Sequence, residues 1–201
     1  MNPSRFEHEF YQRPALLVAK DLLGTVLVHK TKAGITKGKI VEVEAYMGSL
    51  DKAAHSYKNI ITPRTEILYG EGGFAYVYLI YGMYHCMNVV CNVVDKPECV
   101  LIRALEPLEG IDLMKERRKT DKILNLCSGP GKLSSAMGIT KEQNGFNLSA
   151  DIFYIEKSTD KAEDIEIETS KRINIGYAEE AIEYPWRFML KDNKFVSYRK
   201  V

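Results

Sequence analysis

The chain has 201 residues, 45% of them hydrophobic and 27% charged, with a formal net charge of +1. This is the composition of a globular protein long enough to bury one core, and it excludes a disordered or low-complexity polymer. No apolar run approaches the roughly 20 residues of a bilayer crossing, so no membrane partner is expected.

The N-terminus, MNPSRFEHEFYQRP, has scattered charges and no apolar segment of the signal-peptide kind, so a cytoplasmic location is expected. The four cysteines (Cys86, Cys91, Cys99 and Cys127) lack the short paired spacing of a zinc site and read as buried free thiols. A charge near zero neither announces nor excludes a nucleic-acid partner. Residues 151–201 carry 9 basic and 11 acidic side chains, which leaves the mild positive excess in residues 1–150.

A helix is expected to begin at Pro14, with Leu16, Leu17, Leu22 and Leu23 at helical spacing up to Gly24. Thr25–Lys30 reads as a strand, Ala33-Gly34 as a turn, and Lys37–Tyr46 as a second strand. Period-2 alternation in that strand places Ile40, Glu42, Glu44 and Tyr46 on one face and Val41, Val43 and Ala45 on the other. Residues 47–73, rich in Gly, Ser, Asp, Asn and Pro, read as a long loop, of a length that is functional or mobile in a compact domain, carrying His55 and Thr62-Pro63-Arg64. Phe74–Ile80 and Tyr84–Val90 flank Tyr81-Gly82-Met83 and predict a hairpin. Another strand is expected at Val100–Leu105, and helices at Leu108–Arg118 and Lys132–Met137. Short β runs follow at Leu148–Ile155, Ile165–Thr169, Arg172–Ile175, Arg187–Leu190 and Phe195–Tyr198. The expected fold is α+β: a single domain over residues 1–201 with a mostly antiparallel curved sheet, a protruding β-hairpin and surrounding helices.

Several residues could carry chemistry. Glu44, at a strand end before a polar loop, suits a general base on water; Glu42 on the same face is an equal candidate by pattern. His55 could hydrogen-bond in a pocket or simply meet solvent. Four tyrosines in nine residues (Tyr76, Tyr78, Tyr81 and Tyr84) suit either base stacking or ordinary sheet packing. Tyr81 differs from the other three, because a bulky ring at a hairpin tip is a candidate wedge for unstacking a base pair. Arg103, flanked by apolar residues, is either partly buried and paired or exposed on one face; if paired, Glu44 is a reasonable partner that such a pair would keep ionised. Gly129-Pro130-Gly131-Lys132 could hold a phosphate at a helix start, although an ordinary loop explains it as well.

Read together, the motifs are more specific. Ile40-Val41-Glu42-Val43-Glu44-Ala45-Tyr46-Met47-Gly48, then Ala53-Ala54-His55-Ser56 and Thr62-Pro63-Arg64, resemble the alkyladenine (3-methyladenine) DNA glycosylases of the mammalian type. Tyr76 to Tyr84, Cys86-Met87-Asn88, Val100 to Gly110 and Gly129 to Leu133 continue the resemblance. Arg172-Ile173-Asn174-Ile175-Gly176 and Pro185-Trp186-Arg187-Phe188 extend it, so it spans roughly residues 10 to 199 in order. The resemblance implies that Glu44 activates water for attack on the sugar C1′, with Arg103 and the Ile173 backbone carbonyl helping to hold that water. It implies a base pocket walled by Tyr46, His55 and Tyr78. There the His55 main chain and the Ala53 carbonyl would face the base edge, and Asn88 would crowd the exocyclic amino group of guanine. Tyr81 would fill the gap left by the extruded nucleotide.

Such an enzyme would excise alkylated or deaminated purines from double-stranded DNA as a monomer, with no cofactor or metal. It would not cleave the strand, because no lysine stands at the matched positions to form a Schiff base. Two features depart from the pattern. Asn174 replaces an expected glycine and could redirect the neighbouring carbonyl, and His85 stands where an aromatic is frequent. Other readings of the same fold are a non-catalytic binder of damaged bases and an RNA-binding module, since the family fold resembles the C-terminal domain of methionyl-tRNA formyltransferase.

Overall fold

The computed structural model describes residues 4–158 and 165–197. After a short helical turn, α1 (His8–Tyr11), comes α2 (Ala15–Leu22), entered through Pro14 at φ −51°. Its buried stripe is Ala15, Val18, Ala19 and Leu22, an i, i+3, i+4, i+7 pattern. Leu17, expected inside, is 52% exposed because it lies off that stripe. The first turn is tied down by Glu98, whose carboxylate accepts the Ala15 N–H at 2.7 Å.

Strands β1 (Val26–Thr31), β2 (Gly34–Tyr46), β3 (Ala75–Ile80), β4 (Tyr84–Cys91) and β5 (Glu98–Glu109) follow. Helices α3 (Ile111–Arg118) and α4 (Pro130–Met137) precede β6 (Phe153–Glu156), β7 (Ile167–Ser170) and β8 (Arg187–Leu190). The eight strands form one curved antiparallel sheet in the order β3-β4-β5-β2-β1-β6, with β8 joining β2 to β7. The long central β2 pairs with β5 on one side; on the other it pairs first with β1 and then with β8. Helices α2 and α4 pack on one face, and their apolar residues interlock with Val43, Ala45, Val89, Val100 and Ile102 in the main core.

The alternation expected along β2 holds for only part of the strand. The β2–β5 ladder pairs Ile40 with Leu105, then Glu42 with Ala104, then Val43 with Ile102, skipping Val41 on one strand and Arg103 on the other. A skipped residue reverses which face the following side chains take. Ile40 therefore enters the main core together with Val43 and Ala45, whereas Val41 joins a separate small cluster with Ala104 and Phe195. Glu42 and Glu44 do share a face, and Arg103 meets them there.

Other departures have local causes. β5 runs on through Glu109, so α3 starts only at Ile111, after Gly110 at φ +73°. The expected strand from Leu148 shortens to Phe153–Glu156, because the Asn147 side chain takes the Ser149 N–H and turns the chain. Arg172–Ile175 is not a strand, since Asn174 adopts φ +59° and breaks the extension. Phe195 and Val196 lie in a turn closed on Asn193, and Tyr198 falls outside the described residues. At Gly129-Pro130-Gly131-Lys132 the Lys132 ammonium turns back onto Asn125 and Ser128. Gly131 lets the hairpin approach α4: a Cβ there would lie 3.0 Å from the Tyr84 side chain.

Leu22→Ala is expected to destabilise the fold by about 2–5 kcal/mol and Leu17→Ala by less than about 1 kcal/mol, read as the difference in urea-unfolding free energy.

Candidate active site

The face of the sheet opposite α2 is overlaid by two connecting segments. Residues 47–73 carry 3-10 turns at Gly48–Leu50, Tyr57–Asn59 and Glu66–Tyr69. The second segment, residues 171–186, runs between β7 and β8 as a strap. The two are pinned together by the fully buried Asp51 and Arg172. Arg172 Nη2 donates to Asp51 Oδ1 at 2.8 Å, and Nη1 donates to the other carboxylate oxygen and to the Ala45 carbonyl. The Arg172 guanidinium also stacks on the rings of Tyr46 and Trp186, at 4.8 and 5.0 Å. Burial opposes its charge, but the bonds to Asp51 outweigh that and hold the guanidinium firmly protonated.

This pin sets Ile173 over Glu44. The Ile173 N–H donates to Glu44 Oε1 at 2.7 Å, and Arg103 Nη1 lies 3.2 Å from the same oxygen. The Tyr46 hydroxyl donates to Glu44 Oε2 at 2.9 Å. Burial, and next the Glu44 charge, push the Tyr46 phenol well above its ordinary value, so it remains a donor. Arg103 is gripped from behind: its Nε donates to Glu42 Oε1 at 3.0 Å. Burial works against the Arg103 charge, and Glu44 and Glu42 together overcome it. The pairing of Glu44 with Arg103 is thus present, shared with Glu42. Ile173 meets Glu44 through its amide N–H, a contact separate from the role in holding water that the resemblance gives its carbonyl.

Tyr46, Arg103 and Ile173 also line a cavity of about 390 Å³, together with Ala53, His55, Tyr78, Asn88 and Tyr81. All of the expected base-pocket residues therefore converge on one hollow large enough for a purine. Glu44 is fully buried and stands just behind that wall, in contact with three of the residues that form it.

The tyrosine-rich side of the cavity is ordered by contacts that sequence reasoning did not anticipate. The Tyr78 ring meets the edge of the His55 ring at 4.8 Å and carries the Arg64 guanidinium 4.5 Å from its centroid. His55 Nδ1 lies 2.9 Å from the Tyr76 hydroxyl, and Arg64 Nη2 lies 3.3 Å from His55 Nε2. Arg64 can only donate, so His55 Nε2 is the acceptor and the ring proton sits on Nδ1. Desolvation of the ring among its aromatic neighbours, with the Arg64 charge second, lowers the His55 pKa to about 4. Burial pushes the Tyr76 phenol up to about 12 and the Tyr78 phenol higher still, so both stay neutral.

Asn88 is buried opposite Tyr76 in the β3–β4 ladder. Its Nδ2 donates to the Tyr76 carbonyl at 3.1 Å, and its Oδ1 faces the Cys99 thiol at 3.9 Å. The Ala53 carbonyl, expected at the base edge, accepts from the Tyr177 hydroxyl at 3.3 Å. All four cysteines are buried and free. At the hairpin tip Tyr81 is 74% exposed, with Leu79, Met83 and Tyr84 exposed around it. Tyr81 itself takes φ +53°, a conformation that costs a bulky residue energy, ahead of Gly82 at φ +69°.

Asp51, Arg64, Arg172 and Tyr177 were not singled out from sequence. The one available signal was position: Arg64 closes a loop motif, and Arg172 immediately precedes Ile173.

The family described as Methylpurine-DNA glycosylase (MPG) matches residues 9–194 of the chain. A protein of Alkaliphilus oremlandii named "Putative 3-methyladenine DNA glycosylase" is 53% identical, over 96% of this chain and 98% of its own length. Proteins with the same name from Clostridium acetobutylicum and Desulfitobacterium hafniense are 54% and 46% identical, over 96% and 97% of this chain and 97% and 99% of theirs. With a match of that extent and a cavity built from the residues described above, the chain belongs to the methylpurine-DNA glycosylase family.

Proposed function

We propose that this protein is a base-excision repair DNA glycosylase. It extrudes a damaged purine from duplex DNA, hydrolyses the N-glycosidic bond with a Glu44-activated water and leaves an abasic site. The observation that carries this reading is the placement of a buried carboxylate, braced by Arg103, Tyr46 and the Ile173 amide, directly behind a purine-sized aromatic cavity.

Inside the stack a purine is out of reach, and extrusion costs roughly a few kcal/mol, less for a damaged pair. Tyr81 on its exposed, strained tip occupies the space vacated. Tyr46 and Tyr78 offer π-faces to the base, and an alkylated, cationic purine gains from them. His55 is neutral and adds no competing positive charge. Asn88, held at both ends, cannot swing aside for an extra amino group.

A water at the junction of Tyr46, Arg103 and Ile173 reaches Glu44 Oε2, whose partner among the described residues is the Tyr46 hydroxyl. Glu44 accepts a proton from this water as oxygen attacks C1′, and the C1′–N bond breaks with its electrons leaving on the base. A cationic base departs without further protonation, and a neutral one such as hypoxanthine takes up a proton from solvent as it leaves with the electron pair. The reaction needs no lysine Schiff base, metal or organic cofactor, so the strand stays intact. Asn174 tolerates its left-handed backbone better than other non-glycine residues, which suits it to the place of the expected glycine. We further propose that the chain acts as a one-domain monomer on DNA in the cytoplasm. No helix among the described residues is long and apolar enough to cross a membrane.

A single-turnover assay on duplexes carrying one hypoxanthine or methylated purine tests the function. An abasic product supports it; tight binding without product means a damaged-base binder, and preference for structured RNA means an RNA-binding module. Glu44→Gln is expected to keep DNA affinity and lose excision by roughly 10²–10⁴-fold in the chemical step. Tyr81→Ala should weaken binding to a damaged duplex more than to an already extruded base, and equal losses on both would count against the wedge. In an NMR titration the His55 ring is expected to stay neutral well below its ordinary pKa, with Arg64→Gln moving its midpoint upward.

A further inference from the structure

Glu42 is a fully buried carboxylate that the reaction described above does not use, and it does not line the cavity. It is nevertheless heavily engaged. Its Oε1 accepts from Arg103 Nε at 3.0 Å, Arg187 Nε at 2.7 Å and the Ser197 hydroxyl at 2.9 Å, and its Oε2 accepts the Ser197 N–H at 2.6 Å. Burial disfavours its charge, but Arg103, Arg187 and Ser197 outweigh that and hold the carboxyl below its usual range.

The geometry points to Glu42 as a positioning residue for excision, acting through Arg103. This rests on the reading of Glu44 and Arg103 given under Proposed function. An arginine side chain has many rotamers, and its guanidinium must be held at one angle for Nη1 to face Glu44. Arg103 receives no ladder partner, since the β2–β5 register skips it, so the backbone alone does not aim it. Glu42 supplies the aim: it takes the Nε edge, which leaves Nη1 turned toward Glu44 Oε1. It also balances the charges, because two buried guanidiniums face two buried carboxylates around one point. Arg187 and Ser197 then lock Glu42 from β8 and from the segment beyond it, so that segment is coupled to the site. A competing view makes Glu42 a mere staple between β2, β8 and the C-terminal segment. The two views differ in whether the effect of Glu42 passes through Arg103.

The test is a double-mutant cycle with Glu42→Gln and Arg103→Gln. Excision is measured in single turnover on a hypoxanthine duplex, and affinity on a duplex with a tetrahydrofuran abasic analogue. Glu42→Gln is expected to slow excision about tenfold to a hundredfold while affinity stays within about threefold. In the Arg103→Gln background the same change should alter the rate by less than about threefold, because residues that act as one unit are not additive. A wild-type rate in Glu42→Gln, or losses that multiply in the double variant, would overturn the inference. Should Glu42→Gln fail to fold, Glu42→Asp replaces it. Aspartate keeps the charge but is one methylene short of holding Arg103 and Ser197 together, so slow excision at wild-type affinity is expected and a wild-type rate overturns. If Glu44→Gln retains full excision, the reading of the site itself fails. If Glu44→Gln is inactive while Glu42→Gln matches wild type, only the present inference falls.

Discussion

The guanidinium of Arg103, shared between the buried carboxylates of Glu42 and Glu44, is the interaction on which the site depends. A lone carboxylate in a protein interior takes up a proton rather than bear the cost of desolvation. Glu44 has no exposed surface, yet it has an arginine, a phenol and a backbone amide aimed at it. These donors satisfy both of its oxygens, Oε1 from Arg103 and the Ile173 amide and Oε2 from the Tyr46 hydroxyl. Each of them also lines the cavity, so the groups that hold Glu44 are the ones that separate it from the hollow.

The fold creates this arrangement by interrupting its own regularity. An uninterrupted β2–β5 ladder would give Arg103 a register partner and keep one face of β2 toward the core throughout. The two skipped residues, Val41 and Arg103, let β2 serve the main core with Ile40 at one end and with Val43 and Ala45 at the other. The same irregularity frees Arg103 to meet both glutamates on the opposite face. The strap over that face has its own buried anchor in Asp51 and Arg172, adjacent to the point where the Ile173 amide meets Glu44. Removing either partner would leave an uncompensated charge in the interior, the most damaging kind of change to such a pair.

Around the cavity His55, Tyr46, Tyr76 and Tyr78 are held neutral, and the polar tips of His55, Tyr46 and Tyr76 are occupied. His55, Tyr76 and Arg64 exhaust much of one another's hydrogen-bonding capacity, and Asn88 is held by Tyr76 and Cys99. Few of these polar groups are left without a partner inside the protein. The hairpin is built to the opposite specification. Its tip exposes Leu79, Tyr81, Met83 and Tyr84 to solvent, where an apolar surface has value only against something that will cover it.

Much of this was legible in the chain itself. The alternating and helical patterns located the hairpin, α2, β1, β2 and α4 to within a few residues, because burial of one face imposes a period on local sequence. The motifs around Glu44, His55, Tyr78, Asn88 and Arg103 pointed to residues that do gather at one cavity. By period Glu42 and Glu44 are equivalent; the resemblance singled out Glu44, and only the tertiary structure showed that Arg103 is shared between the two. It alone showed that Arg172–Ile175 is a strap rather than a strand, that Leu17 lies outside, and that Asp51 meets Arg172 across 121 positions of sequence. The physical reason is common to all of these. Periodicity reports which side of an element is buried, whereas bulges, buried ion pairs and the partners of a polar group depend on residues distant in the chain, and no local pattern encodes them.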